Sequence, residues 1–327
     1  MLEFIARRIL TMIPTLLVIS VICFIVIQLP PGDFLTSMMQ QMAMSGTEAS
    51  EAQIAALRAR YGLDKPIYVQ YWKWFTNFLR GDMGYSFGWN QPVNKLIWER
   101  IGLTVIIAVA SMIFTWIIAI PIGIYSAVRQ YSILDYIFTF IGFLGMATPN
   151  FMMALILMYI GYVKFGVSVG GLFSPEFANA PWSVAKFVNM LSHLAIPMIV
   201  IGTAGTAGLI RILRANLLDE LGKPYVTTAR AKGVHKVRLL LKYPVRIAIN
   251  PFISTIGWML PGIFSGEVIV SVVLALPTTG PLLLQALLSQ DMYLAGSFLF
   301  VLSILTVIGT LLSDILLALA DPRIRYQ

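Results

Sequence analysis

A chain of 327 residues with 58% apolar and only 12% charged side chains has too few charges to solvate the surface of two ordinary soluble domains. A mean hydropathy of +0.82 agrees, and the composition is that of a bilayer protein. The single cysteine, Cys23, excludes an internal disulfide or a cysteine metal cluster, and His193 and His235 stand far apart with no carboxylate cluster beside them, so both read as helix-end or loop histidines.

Six apolar runs reach the ~20 helical residues that cross a hydrocarbon core of ~30 Å. The first, Ile9–Leu29, follows Arg7 and Arg8. It outlasts the apolar region of a secretion signal and ends in Gln28-Leu29-Pro30-Pro31 without a small-residue cleavage pattern, so residues 1–30 read as a retained anchor. Residues 31–102 form a long segment between the first and second runs. In it, Met38–Met44 is polar, methionine-rich and reads as loosely ordered, and Glu48–Tyr61 reads as a helix behind Thr47 or Ser50. Pro66–Leu79 concentrates Tyr68, Tyr71, Trp72, Trp74, Phe75 and Phe78, as an interfacial amphipathic helix does; a substrate-contacting aromatic surface is the alternative. Gly81, Gly84 and Gly88 then mark a turn-rich stretch.

Residues 103–327 hold the remaining runs, Leu103–Val128, Tyr136–Val163, Met190–Ile210, Phe252–Leu276 and Leu294–Ala320. Pro121, Pro149, Pro197 and Pro261 are expected to interrupt runs two to five, and Gly202, Gly205 and Gly208 permit close packing of the fourth. Between runs four and five lie the forty residues 211–250, far more than a reversal needs. Pro224 suits a first helical turn and Gly233 a stop, so Pro224–Lys232 reads as a short helix. Tyr225, Thr228, Ala229 and Lys232 share a face of it, and small residues would let another surface approach closely.

Placing the N-terminus in the cytoplasm puts fourteen of the 23 basic residues on the cytoplasmic side, nine of them between Arg211 and Arg246. Both termini are then cytoplasmic. The net charge of +8 becomes a cytoplasmic belt, and no nucleic-acid partner is required.

Catalytic motifs are lacking. Gly222-Lys223 is followed by Pro224 and has Leu217 where a phosphate-binding loop needs its upstream glycine. No metal spacing and no cofactor signature is found. Transport is what remains. Glu267 and Asp314 are the acids inside the runs; Glu267 is a candidate for lining a path, and Asp314 reads as an inner-interface anchor paired with Arg323 or Arg325.

Four motifs carry a resemblance that covers nearly the whole chain. They are Tyr61-Gly62-Leu63-Asp64-Lys65-Pro66 with Val69-Gln70-Tyr71, Gly81-Asp82-Met83-Gly84-Tyr85-Ser86, Tyr225 to Gly233, and Asp321-Pro322-Arg323-Ile324-Arg325. Together they resemble the membrane subunits of ATP-binding-cassette (ABC) importers for peptides, nickel, opines and some oligosaccharides. The resemblance implies an all-α polytopic protein with six transmembrane helices and the type I ABC importer permease fold, in a bacterial or archaeal cytoplasmic membrane. It implies a second homologous permease, two ATPase subunits that hydrolyse the ATP, and an extracytoplasmic substrate-binding protein. Tyr225, Thr228, Ala229, Arg230, Lys232 and Gly233 then belong to the ATPase-coupling loop, and Gly81, Asp82, Gly84 and Ser86 to an external element that is structural or meets the binding protein.

Two departures stand out. The general importer pattern Glu-Ala-Ala-x-x-x-Gly becomes Thr227-Thr228-Ala229 when aligned on Gly233. The family's glutamate ahead of a Pro-Gly-x-Gly turn becomes Ser271 ahead of Pro277-Thr278-Thr279-Gly280, with Glu267 one helical turn earlier and ~6 Å deeper. Ser271 and Glu267 therefore read as translocation-path residues, with the acid relocated or the site retuned for another ligand. Peptide cargo leads, with oligosaccharide or opine cargo next. A stand-alone proton-coupled secondary transporter using Glu267, and a purely structural membrane protein, are the readings from other classes.

Overall fold

The computed structural model describes residues 2–28, 65–86, 88–166, 170–178, 180–256, 268–289 and 291–320. The helix expected over Glu48–Tyr61, the Tyr61–Asp64 motif residues, Glu267 and the Asp321–Arg325 motif lie outside them.

Among the described residues the chain is helical apart from one two-stranded ribbon. In order, α1 (Leu2–Gln28) is followed by α2 (Ile67–Leu79), β1 (Tyr85–Ser86), β2 (Gln91–Pro92) and α3 (Val93–Val128). Then come α4 (Ile133–Ala147), α5 (Asn150–Phe165), α6 (Pro175–Ala178) and α7 (Val184–Leu221). The long connecting loop forms α8 (Pro224–Ala231), α9 (Lys236–Lys242) and α10 (Pro244–Ala248), and the last described helices are α11 (Val268–Val273), α12 (Thr279–Leu288) and α13 (Met292–Ala320). Helices α1, α3, α7 and α13 are each long and apolar enough to cross a membrane.

The third expected span is interrupted at Pro149, as its sequence led us to expect. It is not one rod: α4 and α5 meet at 100°. Thr148 is extended (φ −89°, ψ 120°) and Pro149 opens the next helix, because a proline ring pushes its predecessor out of the helical region. Pro121 and Pro197 were expected to interrupt their spans and do not; each lies inside one continuous helix. Their helices pack tightly against each other, whereas the α4–α5 junction is largely uncovered. Support from neighbours decides whether a proline breaks a membrane helix. The fifth expected span is described only at its ends, as helical residues 250–256 and α11.

The frame is the α3–α7 pair. Their 36 and 38 residues would run ~55 Å, well beyond the hydrocarbon, so both project past the apolar runs seen in the sequence. At Gly202 an added Cβ would stand 2.6 Å from Phe114 Cδ1, and at Gly123 2.9 Å from Leu213 Cδ2. Glycine there lets the backbones close, and Thr115 Oγ1 donates to the Gly202 carbonyl at 3.0 Å across the gap. In lipid, where apolar burial gains little, such contacts hold helices together.

Helix α1 packs along α13. Arg8 pairs with Asp314 at 3.3 Å, a partner the sequence reading did not name. Arg323 and Arg325, the expected partners, lie outside the described residues, and Arg8 reaches Asp314 because α1 runs alongside α13. Helix α2 sits against α1 and α13 through Trp74 and Phe78, which pack on Phe24 and Phe300, while Tyr71 hydroxyl meets Ser20 Oγ at 2.8 Å. Its other face leaves Ile67, Tyr68, Trp72 and Leu79 exposed. This two-sided pattern is that of an interfacial helix.

Candidate functional sites on the long connecting loop and the glycine motif

Eleven residues beyond Ile210, α7 ends with Gly222 N–H donating to the Asp219 carbonyl at 3.3 Å. Pro224 then occupies the first turn of α8, where its missing N–H costs no hydrogen bond. Gly233 stops the loop helix as its position predicted: φ is +74°, its N–H donates to Arg230 O at 3.0 Å, and Val234 N–H donates to Ala229 O at 3.3 Å.

One side of α8 faces its own chain. Val226 and Ala229 are buried with Leu239 of α9, flanked by Tyr225, Val234 and Tyr243. The Tyr225 hydroxyl donates to Glu220 Oε2, pinning α8 to the last turn of α7. Burial, and then the Glu220 carboxylate, push that phenol well above its ordinary value. Thr227, Thr228, Arg230, Ala231, Lys232 and Gly233 are exposed. The face proposed from helical spacing is therefore divided: Thr228 and Lys232 are open to a partner, Tyr225 is half-buried, and Ala229 is internal. The apolar pair Val226 and Ala229, three residues apart in an otherwise polar helix, was the signal for the inward side.

The Gly81-Asp82-Met83-Gly84-Tyr85-Ser86 motif is one compact element. Gly81 and Gly84 have φ of +84° and +87°, conformations that L side chains avoid. Asp82 Oδ1 accepts the Gly84 N–H at 3.0 Å. Tyr85 pairs with Pro92 and Ser86 with Gln91 in the antiparallel ribbon. The element is fastened to the start of α13. Asp291 is buried and accepts Ser86 Oγ–H at 2.5 Å, Gly88 N–H at 3.3 Å and, at the helix start, Leu294 N–H at 3.2 Å. Ser297 Oγ donates to the Met83 carbonyl at 3.1 Å. Asp291 was not singled out from the sequence, although an aspartate just ahead of an apolar run is a helix-start signal.

Ser271 is buried in α11, and its carbonyl accepts Leu276 N–H at 2.8 Å. Nearby, Thr104 Oγ1 accepts Thr279 N–H at 3.1 Å, tying the Pro277–Gly280 turn to α3. Glu267, its expected companion, falls outside the described residues.

A further buried pair was missed because the third run was drawn from Tyr136. Asp135 at the start of α4 accepts Arg214 Nη2 of α7 and the Tyr131 N–H, at 3.3 and 3.0 Å. Tyr131 carries a φ of +63°, held by that bond. Among the described residues no group of three or more His, Cys, Asp or Glu side chains is placed to hold a metal.

Residues 119–326 match the family described as the inner membrane component of binding-protein-dependent transport systems, and residues 1–108 match the description of its N-terminal part. The chain is 37% identical over 328 residues to the oligopeptide transport system permease protein AppB of Bacillus subtilis, covering 100% of both chains. It is 30% identical over 327 residues to the glutathione transport system permease protein GsiC of Salmonella paratyphi A, and 29% identical over 344 residues to the dipeptide transport system permease protein DppB of Escherichia coli K12, again with 100% of both chains covered.

Proposed function

The chain belongs to the inner-membrane components of binding-protein-dependent transport systems, and on that footing we propose an assignment of its parts. It is the permease subunit of an ABC importer, a multi-pass inner-membrane protein that works with ATPase and substrate-binding partners. The assignment gives it peptide cargo, in keeping with relatives named for oligopeptides, dipeptides and glutathione. It pairs with a second, homologous permease around the path, two ATPase subunits dock from the cytoplasm, and both termini are cytoplasmic.

Coupling runs through the outward side of α8. The observation that carries this is the division of that helix: its apolar side is spent on α9, while Thr227, Thr228 and Ala231 form a small-residue face backed by a Gly233 reversal. Such a face can enter a groove without displacing bulky side chains. Arg230 and Lys232 flank it, and Tyr225 and Ala229 hold it in place. Glu267 and Ser271 are assigned to the path. The element of Gly81, Asp82, Gly84 and Ser86, with residues 31–102 around it, receives the binding protein.

The test is ATPase retention. Ala231→Arg puts bulk and charge on the open face, where a central contact typically loses more than a rim one. The reading expects the purified complex to lose its ATPase subunits while the permease pair stays intact. Ala229→Arg is the contrasting variant, because it strikes the α8–α9 packing and should lower stability as well. Full ATPase retention by Ala231→Arg contradicts the assignment.

A further inference from the structure

Beside α8 the loop encloses a concavity of about 400 Å³ lined by Lys232, Gly233, His235, Arg238, Lys242 and Tyr243, together with Val234. That lies in the range of small-ligand pockets, ~300–1,000 Å³, and is more room than one inorganic ion needs. Three full cations line it, and no carboxylate does. Residues 211–250 contain nine basic residues and only two acids, Asp219 and Glu220. Both acids are at the end of α7, and Glu220 is already engaged by Tyr225. Among the described residues Lys232, Arg238 and Lys242 have no ion pair; Lys242 Nζ instead lies 5.6 Å from the Tyr243 ring centre. Crowding like charges is unfavourable, and among the described residues no carboxylate offsets them, so the concavity presents a positive site suited to an external anionic group.

We infer that this concavity receives a carboxylate-bearing segment of the ATPase subunit docked on α8. The inference rests on the coupling role proposed for α8 and adds to it a second, electrostatic contact. Arg238 offers a planar fork that matches a carboxylate, and Lys232 and Lys242 offer flexible point charges on either side. Depth argues against lipid headgroups as the occupant. From Ile210 to the end of α7 the chain travels ~16 Å, and the headgroup layer adds only ~5–8 Å to each side of the hydrocarbon. The Tyr225–Glu220 bond holds α8, and with it the Lys232 rim, at that far end.

The test uses the purified importer complex carrying Arg238→Glu with Lys242→Glu, and separately Ala231→Arg. ATPase affinity for the permease pair is titrated at several salt concentrations, and a zero-length carbodiimide reagent joins lysines to carboxylates in contact. The inference expects the double variant to weaken ATPase binding by tenfold or more at low salt and to flatten its salt dependence. It also expects a wild-type crosslink from Lys232 or Lys242 to an acidic residue of the ATPase. If Ala231→Arg weakens binding and the double variant does not, the electrostatic contact is refuted and the α8 reading stands. If Ala231→Arg has no effect, the α8 reading itself fails. If the double variant instead loses co-purifying phosphatidylglycerol from mixed nanodiscs with ATPase affinity unchanged, the concavity is a lipid site and the inference is overturned.

Discussion

Alanine at Gly81 and alanine at Gly84 impose nearly the same backbone strain but different steric loads. The two φ values are +84° and +87°, so either substitution forces an L side chain into the left-handed region at ~1–2 kcal/mol. At Gly81 the added Cβ meets nothing within 4 Å. At Gly84 it would stand 2.9 Å from Tyr293 Cδ1 and 3.3 Å from Cγ. Those are the inner atoms of a ring on α13, which cannot swing aside like a chain end, so overpacking adds ~1–3 kcal/mol. Taking ~3 °C per kcal/mol for a chain of this order of size, the melting temperature should fall by roughly 4 °C for Gly81→Ala and roughly 10 °C for Gly84→Ala. Cys23 supplies the assay, being the chain's single cysteine and buried in α1. A thiol-reactive dye reports its exposure on heating in detergent, with no added label site. Equal shifts for the two variants, or a larger one at Gly81, would refute the claim that this element is seated against Tyr293.

Asp291→Ala removes the acceptor shared by Ser86, Gly88 and Leu294. It should cost at least the ~1 kcal/mol of a lost helix cap and free the Gly81–Ser86 element, seen as lower affinity for the binding protein with ATPase retention unchanged. Asp135→Asn should destabilise the α3–α4 turn by ~1–3 kcal/mol, since it leaves Arg214 half-buried without its counter-charge; a Cys23 melting curve unchanged from wild type contradicts this. The raised Tyr225 phenol means the folded state holds that proton more tightly than the unfolded chain does. Its contribution is therefore complete below the unfolded value near pH 10 and declines as pH rises above it. Tyr225→Phe should remove this alkaline loss, read as the pH dependence of limited proteolysis of the loop between pH 9 and 11. Gly233→Val places a β-branched residue at φ +74° with open space around its Cβ. The expected cost is ~1–2 kcal/mol of backbone strain, with normal membrane insertion and loss of substrate-stimulated ATP hydrolysis; normal stimulation would contradict the reversal's role in coupling.

The loop helix was legible because its punctuation is local. Pro224 and Gly233 act through backbone geometry alone, and the structure ends the helix at Ala231 with Lys232 as its cap. The inward side of α8 carried a local signal in the apolar pair Val226 and Ala229, but the face drawn through Tyr225, Thr228, Ala229 and Lys232 cut across it; Leu239 of α9, which completes that cluster, is a tertiary contact. The break at Pro149 was legible in the sequence, whereas the unbroken helices at Pro121 and Pro197 were not. A proline removes a hydrogen bond wherever it occurs, and tertiary support decides whether the helix then breaks or runs on. Asp291 and Ser86 are 205 residues apart, so their bond depends on α2 and the ribbon folding back onto α13. The Asp135–Arg214 pair was hidden differently: hydropathy drew the third run from Tyr136 and left the aspartate in a connecting turn. Glycines in the fourth run divided as well, with Gly202 in close contact with α3, Gly205 at the edge of contact, and Gly208 open.

ATP-driven uptake of a labelled peptide into proteoliposomes containing this permease, its partner permease, the ATPase subunits and the binding protein tests the account most directly. The account predicts accumulation that requires ATP and the binding protein, persists when a protonophore collapses the pH gradient, and is abolished by Ala231→Arg. Uptake by the permease alone, driven by a proton gradient and indifferent to ATP and to Ala231→Arg, would contradict it.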